Sequence, residues 1–151
     1  MADDFVFQVT ERPRELLITV AGVVSEEARL EVPDARGRRV IIDARGVERM
    51  NSMGVRNWID FIDSLQQQTP EIIIRHLPPV MVSQASMITT FIGRSRVESF
   101  LSPWYCPRCE NTLEQLHAFT DDLPHSIQCP KCRSAMELDW DRDAYLAFRT
   151  A

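Results

Sequence analysis

The segment VIIDARGVERMNSMGVRNWIDFIDSL, residues 40–65, decides the fold that we expect for this chain. It begins with Val40-Ile41-Ile42, a β-branched run that is typical of a strand buried on both faces. Apolar residues then recur at the spacing of an amphipathic helix: Val55, Ile59, Ile62 and Leu65. Gly54 lies between these two patterns and indicates a tight turn, because glycine tolerates sharp bends of the backbone. The segment therefore predicts a strand, a turn and a helix in succession.

Patterns on both sides of this segment continue the alternation of strands and helices. Alternating or continuous apolar runs predict strands at residues 5–9, 16–20, 72–74 and 97–101. A short helix is expected over residues 25–30, because Ser25 can cap it and two glutamates suit its positive end. Another helix is expected between the prolines at 78–79 and Gly93. This order predicts the α/β class, with a mixed sheet and helices packed against it.

The four cysteines of the chain form two C-x-x-C pairs, one at Cys106 and Cys109 and one at Cys129 and Cys132. Nineteen residues separate the pairs, which is a spacing typical of zinc sites. Each pair places two sulfurs on one side of a tight turn, and two such turns complete a tetrahedron around a metal ion. Four thiolates leave no position for a catalytic water, so we expect one structural Zn²⁺ bound by all four. An iron site of the rubredoxin type has similar ligands and stays open, as does redox chemistry.

Charged residues and histidines near the cysteines fit the same interpretation. Arg108, Lys131 and Arg133 lie at the two turns and can offset the negative charge of four thiolates around a divalent ion. His117 and His125 lie between the two pairs. Because the ligand set is already complete, we expect both histidines to face solvent rather than the metal.

We expect the chain to divide into two parts. Residues 1–103 form the α/β domain, and residues 104–151 form a small zinc ribbon with a C-terminal tail. Ser102-Pro103 is the expected joint, and so short a joint should hold the ribbon close to the domain. The ribbon has too little core to fold without metal. For the tail, a short docked helix and disorder are the two alternatives.

Charge and composition exclude several functional classes. The net charge of −5 disfavours a nucleic-acid binder, because phosphate contacts need clustered Lys and Arg. The start of the chain does not resemble a secretory signal, and the longest apolar runs are too short to cross a bilayer. We therefore expect a cytoplasmic protein, and in that compartment paired cysteines bind metal rather than form disulfides. No Ser-His-Asp arrangement, glycine-rich phosphate loop or paired histidine assigns a catalytic role, so we do not expect an enzyme.

Three stretches within residues 40–65 resemble the central motif of STAS domains, a family that includes the anti-sigma factor antagonists of bacteria. They are Val40-Ile41-Ile42-Asp43, Gly46-Val47 and Met50-Asn51-Ser52-Met53-Gly54-Val55. The order of elements resembles the family over about residues 5–103. The resemblance implies a mixed sheet with helices packed against it and a signalling role in protein binding. The implied partners are an anti-sigma factor, a kinase of that type or another STAS protein.

In the phosphorylated members of the family, the turn carries Asp, a small residue, a phosphorylated Ser or Thr, and Gly. The matching positions here are Asn51, Ser52, Met53 and Gly54. Met53 has no hydroxyl group, so the resemblance implies partner binding without the usual phospho-switch. Ser52 is the neighbouring hydroxyl, and we expect it to cap the following helix.

The expected partner surface lies at the start of that helix and consists of Asn51, Ser52, Met53, Gly54 and Arg56. Exposed methionines adapt to the shapes of partners, whereas methionines that fill the core would not contribute to binding. Both readings stay open for Met50 and Met53. A second hypothesis makes the ribbon the working part, as a docking module for nucleic acid or for a larger protein complex.

Overall fold

The computed structural model describes residues 4–150 and contains two β-sheets. The first sheet has five strands in the order β1-β2-β3-β4-β5. They are β1 (Val6–Arg12), β2 (Glu15–Val24), β3 (Arg39–Met50), β4 (Ile72–Arg75) and β5 (Arg96–Val97). β1 runs antiparallel to β2, and the remaining neighbours run parallel. The predicted α/β class with a mixed sheet is therefore confirmed.

Within residues 4–150 there are three α-helices: α1 (Ser52–Gln66), α2 (Pro79–Met87) and α3 (Arg142–Leu146). α1 forms because its apolar residues repeat at helical spacing, and it buries Trp58, Phe61, Ile62 and Leu65. The indole N–H of Trp58 donates to the carbonyl of Phe91 at 2.9 Å. Buried residues of α1, α2 and strands β2–β4 belong to one hydrophobic cluster. Both helices therefore pack on the same face of the first sheet.

The opposite face of the first sheet is covered by charged side chains instead of helices. Ile41 and Ile73 are paired across β3 and β4 on this face and are 4% and 3% exposed, outside the main cluster. Ion pairs flank them, with Arg39 Nη2 2.6 Å from Glu15 Oε2 and Arg75 Nε 2.9 Å from Glu98 Oε2. Long arginine side chains can lay their aliphatic stems over apolar surface while their charged ends stay in water.

The helix expected over residues 25–30 is not formed, and this prediction is wrong. The segment makes one turn, in which the N–H of Ala28 donates to the carbonyl of Ser25 at 3.1 Å. Gln68, just after the end of α1, restrains the later part of the crossover between β2 and β3. Its Oε1 accepts from the N–H of Ala35 at 2.8 Å, and its Nε2 donates to the carbonyl of Pro33 at 3.1 Å. A single turn does not stabilise a helix by itself. The backbone groups of Pro33 and Ala35, farther along the crossover, bond to a distant side chain and not to a helical neighbour.

The second sheet has four strands in the order β7-β6-β9-β8, all antiparallel. They are β6 (Ser99–Tyr105), β7 (Thr112–Ala118), β8 (Ile127–Gln128) and β9 (Ala135–Leu138). The strand expected at residues 97–101 is split, because β5 ends at Val97 and β6 begins at Ser99. The expected joint at Ser102-Pro103 is absent, since both residues lie inside β6. The boundary after residue 103 thus falls within a strand, and the division into two units stays a prediction.

The C-terminal tail is docked and not disordered over the residues that the structure describes. α3 is followed by a 3-10 turn (Ala147–Arg149). Tyr145 and Phe148 are buried in the main cluster with residues of the first sheet. In the same described range, no helix is both long enough and apolar enough to span a membrane.

α1 begins at a turn that packs directly against the end of β2. The Asn51 side chain accepts from the N–H of Gly54 at 2.8 Å and caps the helix, so the expectation that Ser52 is the cap is wrong. A Cβ added to Gly54 would lie 1.9 Å from the carbonyl oxygen of Val24. Glycine is required here by this close approach and not by an unusual backbone angle.

We expect Gly54→Ala to lower the free energy of unfolding by at least about 2 kcal/mol, because α1 and β2 must separate to admit the methyl group. Urea unfolding of the full chain measures the loss. Gly37→Ala is the matched control: Gly37 has a φ of 75°, but a Cβ there has no neighbouring atom within 4 Å. The control should lose about 1 kcal/mol through backbone strain alone. Equal losses in both variants would contradict the role of close packing.

Candidate metal centre and partner surface

The four cysteine sulfurs converge at one point of the fold. All four Sγ atoms lie within 4.8 Å of one another. The Sγ atoms of Cys106 and Cys132 are 3.4 Å apart, and those of Cys109 and Cys129 are 3.6 Å apart. A tetrahedral site with Zn–S bonds of 2.3 Å has sulfur–sulfur edges of about 3.8 Å, whereas a disulfide is about 2.05 Å long. The four cysteines are free thiols, and the cluster can hold one metal ion.

Two turns of the same geometry, which we call the first and second knuckle, position these sulfurs. In each knuckle, the carbonyl of the first cysteine accepts from the N–H of the residue four positions later. The N–H of that same cysteine donates to the carbonyl of the residue five positions later. These bonds are Glu110 to Cys106 (2.8 Å), Arg133 to Cys129 (2.9 Å), Cys106 to Asn111 (2.8 Å) and Cys129 to Ser134 (2.8 Å). Glu110 and Arg133 adopt φ angles of 64° and 66°, so both turns close through a left-handed residue.

Backbone N–H groups aimed at the sulfurs favour thiolates. The N–H of Cys132 lowers the pKa of Cys129 to about 6, and the N–H of Lys131 contributes in the same direction. The N–H of Ser134 lowers the pKa of Cys132. At Cys109 the N–H of Asn111 also lowers the pKa, but desolvation and the other sulfurs outweigh it and raise the pKa to about 12. Clustered thiolates repel one another, and a cation at their centre removes this repulsion.

The small core around the cysteines explains why a metal ion suits this place. Its buried members are Trp104, Met136 and two of the cysteines, Cys106 and Cys129. So few apolar side chains cannot stabilise a sheet alone, whereas binding of a structural metal contributes directly to folding. Soft thiolate ligands in tetrahedral geometry suit zinc or iron. The residues present therefore fit one tetrahedral ion.

The structure places the two histidines of this region differently. His125 is exposed, as expected. The expectation that His117 faces solvent is wrong, because it is 6% exposed and its Nε2 lies 2.6 Å from Ser102 Oγ. Ser102 Oγ also accepts from the indole N–H of Trp104 at 2.7 Å. Burial lowers the pKa of His117. His117 therefore joins β7 to β6 and is not part of the cysteine cluster.

The residues of the expected partner surface lie together at the start of α1. Asn51, Ser52, Met53 and Arg56 are exposed, and Met53 retains 47% of its surface. Gly54 is buried and has no side chain, so it shapes this surface without contacting a partner. The neighbouring residue, at position 50, is half-buried and packs against the main cluster, which supports the core-filling reading for that methionine.

Two features of the α/β core were not predicted from the sequence. An open groove of about 650 Å³ adjoins Asn51 and is lined in part by Phe5, Ala28 and Arg49. Its walls come from three segments far apart in the chain, so no local pattern indicates it. The second feature is a pair between Asp43 Oδ1 and His76 Nδ1, 3.1 Å apart.

A comparison of the chain with models of known protein families found no match, and a search of curated proteins found no significantly similar one. The resemblance to STAS domains therefore depends on the motif within residues 40–65 and on the element order.

We expect the reduced protein to bind one zinc ion. Cys129→Ser should lower zinc affinity by more than about 100-fold, because mutating residues that only support the metal ligands already lowers metal affinity by about 10- to 100-fold. Competition with a chromophoric chelator measures the affinity, and elemental analysis gives the stoichiometry. His125→Ala, between the two knuckles but outside the cluster, is the control and should bind zinc like the wild type. A Cys129→Ser variant with wild-type affinity would contradict the four-cysteine site.

Proposed function

We propose that this protein is a non-enzymatic signalling protein. Its STAS-like α/β part binds a protein partner through the surface at the start of α1, and its four cysteines hold one structural zinc ion in a ribbon. The partner class is an anti-sigma factor, a kinase of that type or another STAS protein. The proposal rests on one observation: Met53 is exposed on the first turn of α1, and Gly54 allows this turn to pack directly against β2.

Two contacts make this turn a rigid platform. Asn51 Oδ1 accepts from the N–H of Gly54 at 2.8 Å, while Asn51 Nδ2 donates to Glu26 Oε2 at 2.7 Å. The second bond ties the turn to the crossover between β2 and β3. A platform that is already ordered loses little conformational entropy on binding, so its contacts yield more affinity. Met53 then supplies an adaptable apolar contact at the centre of the surface.

The proposed surface works without the family's phospho-switch. Met53 occupies the position of the phosphorylated Ser or Thr and cannot accept phosphate. Binding is therefore controlled by shape and apolar contact at this turn rather than by an added negative charge.

The proposed zinc ion supports structure and not catalysis. Four cysteine ligands complete its coordination sphere, so neither water nor substrate can reach the metal. Free cysteines spaced for a metal suit a reducing compartment, so we propose a cytoplasmic location.

We expect Met53→Asp to abolish capture of the partner by the tagged protein from extracts of its native host, because a charge would be desolvated at the centre of the contact. Mass spectrometry identifies the proteins that wild type retains and this variant loses. Met87→Asp is the matched control, since Met87 is 71% exposed and lies on a different helix, as the last residue of α2. The proposed surface is wrong if Met53→Asp keeps the partner or if both variants lose it equally.

A further inference from the structure

Residues 141–150, which we call the C-terminal strap, are anchored to the α/β core. The hydroxyl of Tyr145 donates to the carbonyl of Leu101 in β6 at 2.5 Å. Ser86 of α2 makes two more bonds with the strap: its Oγ donates to the carbonyl of Tyr145 at 2.9 Å and accepts from the N–H of Phe148 at 3.1 Å. The Phe148 ring packs edge-on against Phe100, with centroids 5.3 Å apart. Polar and apolar contacts thus fix the strap on α2 and β6.

The same strap also holds the loop between β7 and β8. Arg149 Nη1 donates to two carbonyls of this loop, at 3.0 and 2.7 Å. Arg142 donates to two further carbonyls, one of them at 3.0 Å. The four acceptors are the carbonyls of Phe119, Asp121, Leu123 and Pro124. Since a guanidinium carries several donors in a fixed geometry, each arginine restrains two points of the loop at once.

These contacts bracket the second knuckle, which carries Cys129 and Cys132. The restrained loop leads into β8 and so into Cys129. On the other side, β9 leads into the strap through Trp140, whose ring lies 5.9 Å from that of Tyr145. β9 itself pairs with β6 at two residue pairs. The strap and the pairing of β9 with β6 therefore act together to position the second knuckle. The first knuckle is held by β6 and β7, which share seven residue pairs.

We infer that metal binding at the four cysteines and docking of the strap on α2 are thermodynamically coupled. A docked strap holds the second knuckle ready for the metal, and a bound metal holds the two segments that keep the strap in place. By linkage, each event strengthens the other by the same factor, and couplings of this kind are typically about 5- to 150-fold. The inference rests on the metal site proposed above and adds a consequence for the α/β core.

Loss of the metal would weaken docking of the strap by the same factor, so that the apolar surface it covers on α2 and β6 would be exposed more often. Phe148 would leave Phe100, and the uncovered area would adjoin Met87, which is already exposed and follows Ser86 directly. The coupling therefore makes the surface of the α/β core depend on occupancy of a site at the other end of β6.

Zinc affinity tests one direction of the coupling. In the full chain carrying both Arg142→Ala and Arg149→Ala, zinc affinity measured by chelator competition should fall about tenfold. Arg29→Ala, an exposed arginine in the crossover between β2 and β3, is the matched control and should leave the affinity unchanged. Ser86→Ala is a milder second variant that removes the two hydrogen bonds between Ser86 and the strap and keeps the two arginines, and it should weaken zinc binding in the same direction.

Hydrogen exchange of the wild type tests the other direction without any mutation. Removing zinc with a chelator should speed exchange in peptides covering residues 141–150 and 79–87 and leave α1 unchanged. The inference is overturned if strap exchange does not respond to zinc, or if the double variant and Ser86→Ala both bind zinc within twofold of wild type. A wild type that binds no zinc overturns the metal site and the coupling together, whereas zinc binding without these changes overturns the coupling alone.

Discussion

The continuous strand β6 is the constraint on which the rest of the structure depends. One of its edges pairs with β7 along the whole strand. The other edge is shared by two partners. Near the start of β6, the N–H of Leu77 donates to the carbonyl of Ser99 at 3.0 Å, and the carbonyl of Leu77 accepts from the N–H of Leu101 at 2.9 Å. Near the end of β6, the partner is β9. The next residue after β6 is Cys106, the first sulfur of the cluster. The α/β core and the cysteine site are therefore built on one strand.

Features encoded by local pattern could be predicted from the sequence, and features fixed by distant contacts could not. The strand at Val40 and the helix that follows it depend on residues close in sequence, and each C-x-x-C pair of the cysteine cluster is a local pattern as well. The course of the crossover between β2 and β3 depends in part on Gln68, 35 residues away from the carbonyl that it binds at Pro33. Burial of His117 likewise depends on Ser102, because the strand pairing that brings them together has no short-range signal. Docking of the tail also depends on distant contacts, so the sequence alone does not decide between a docked helix and disorder.

The glycine at the start of α1 has a different role from the predicted one. A tight turn is expected at Gly54 because glycine bends easily, but Gly54 lies within α1, and the decisive factor is that α1 and β2 touch through backbone atoms. This contact lets Asn51 reach both the first turn of α1 and Glu26. The turn is thus fixed by packing beneath it and by hydrogen bonds beside it, which is the arrangement that a preformed binding surface needs.

The distribution of charge on the remaining faces favours this turn as the contact site. On the helix-free face of the first sheet, Ile41 and Ile73 are already covered and Leu17 beside them is half-buried, and the face carries paired charges. Docking a partner there would strip water from those ion pairs and gain little apolar contact, which is unfavourable. The face around Ser86 is closed by the strap as long as the strap is docked. Met53 combines exposure, apolar character and a rigid base, and these properties favour the start of α1 as the proposed contact site.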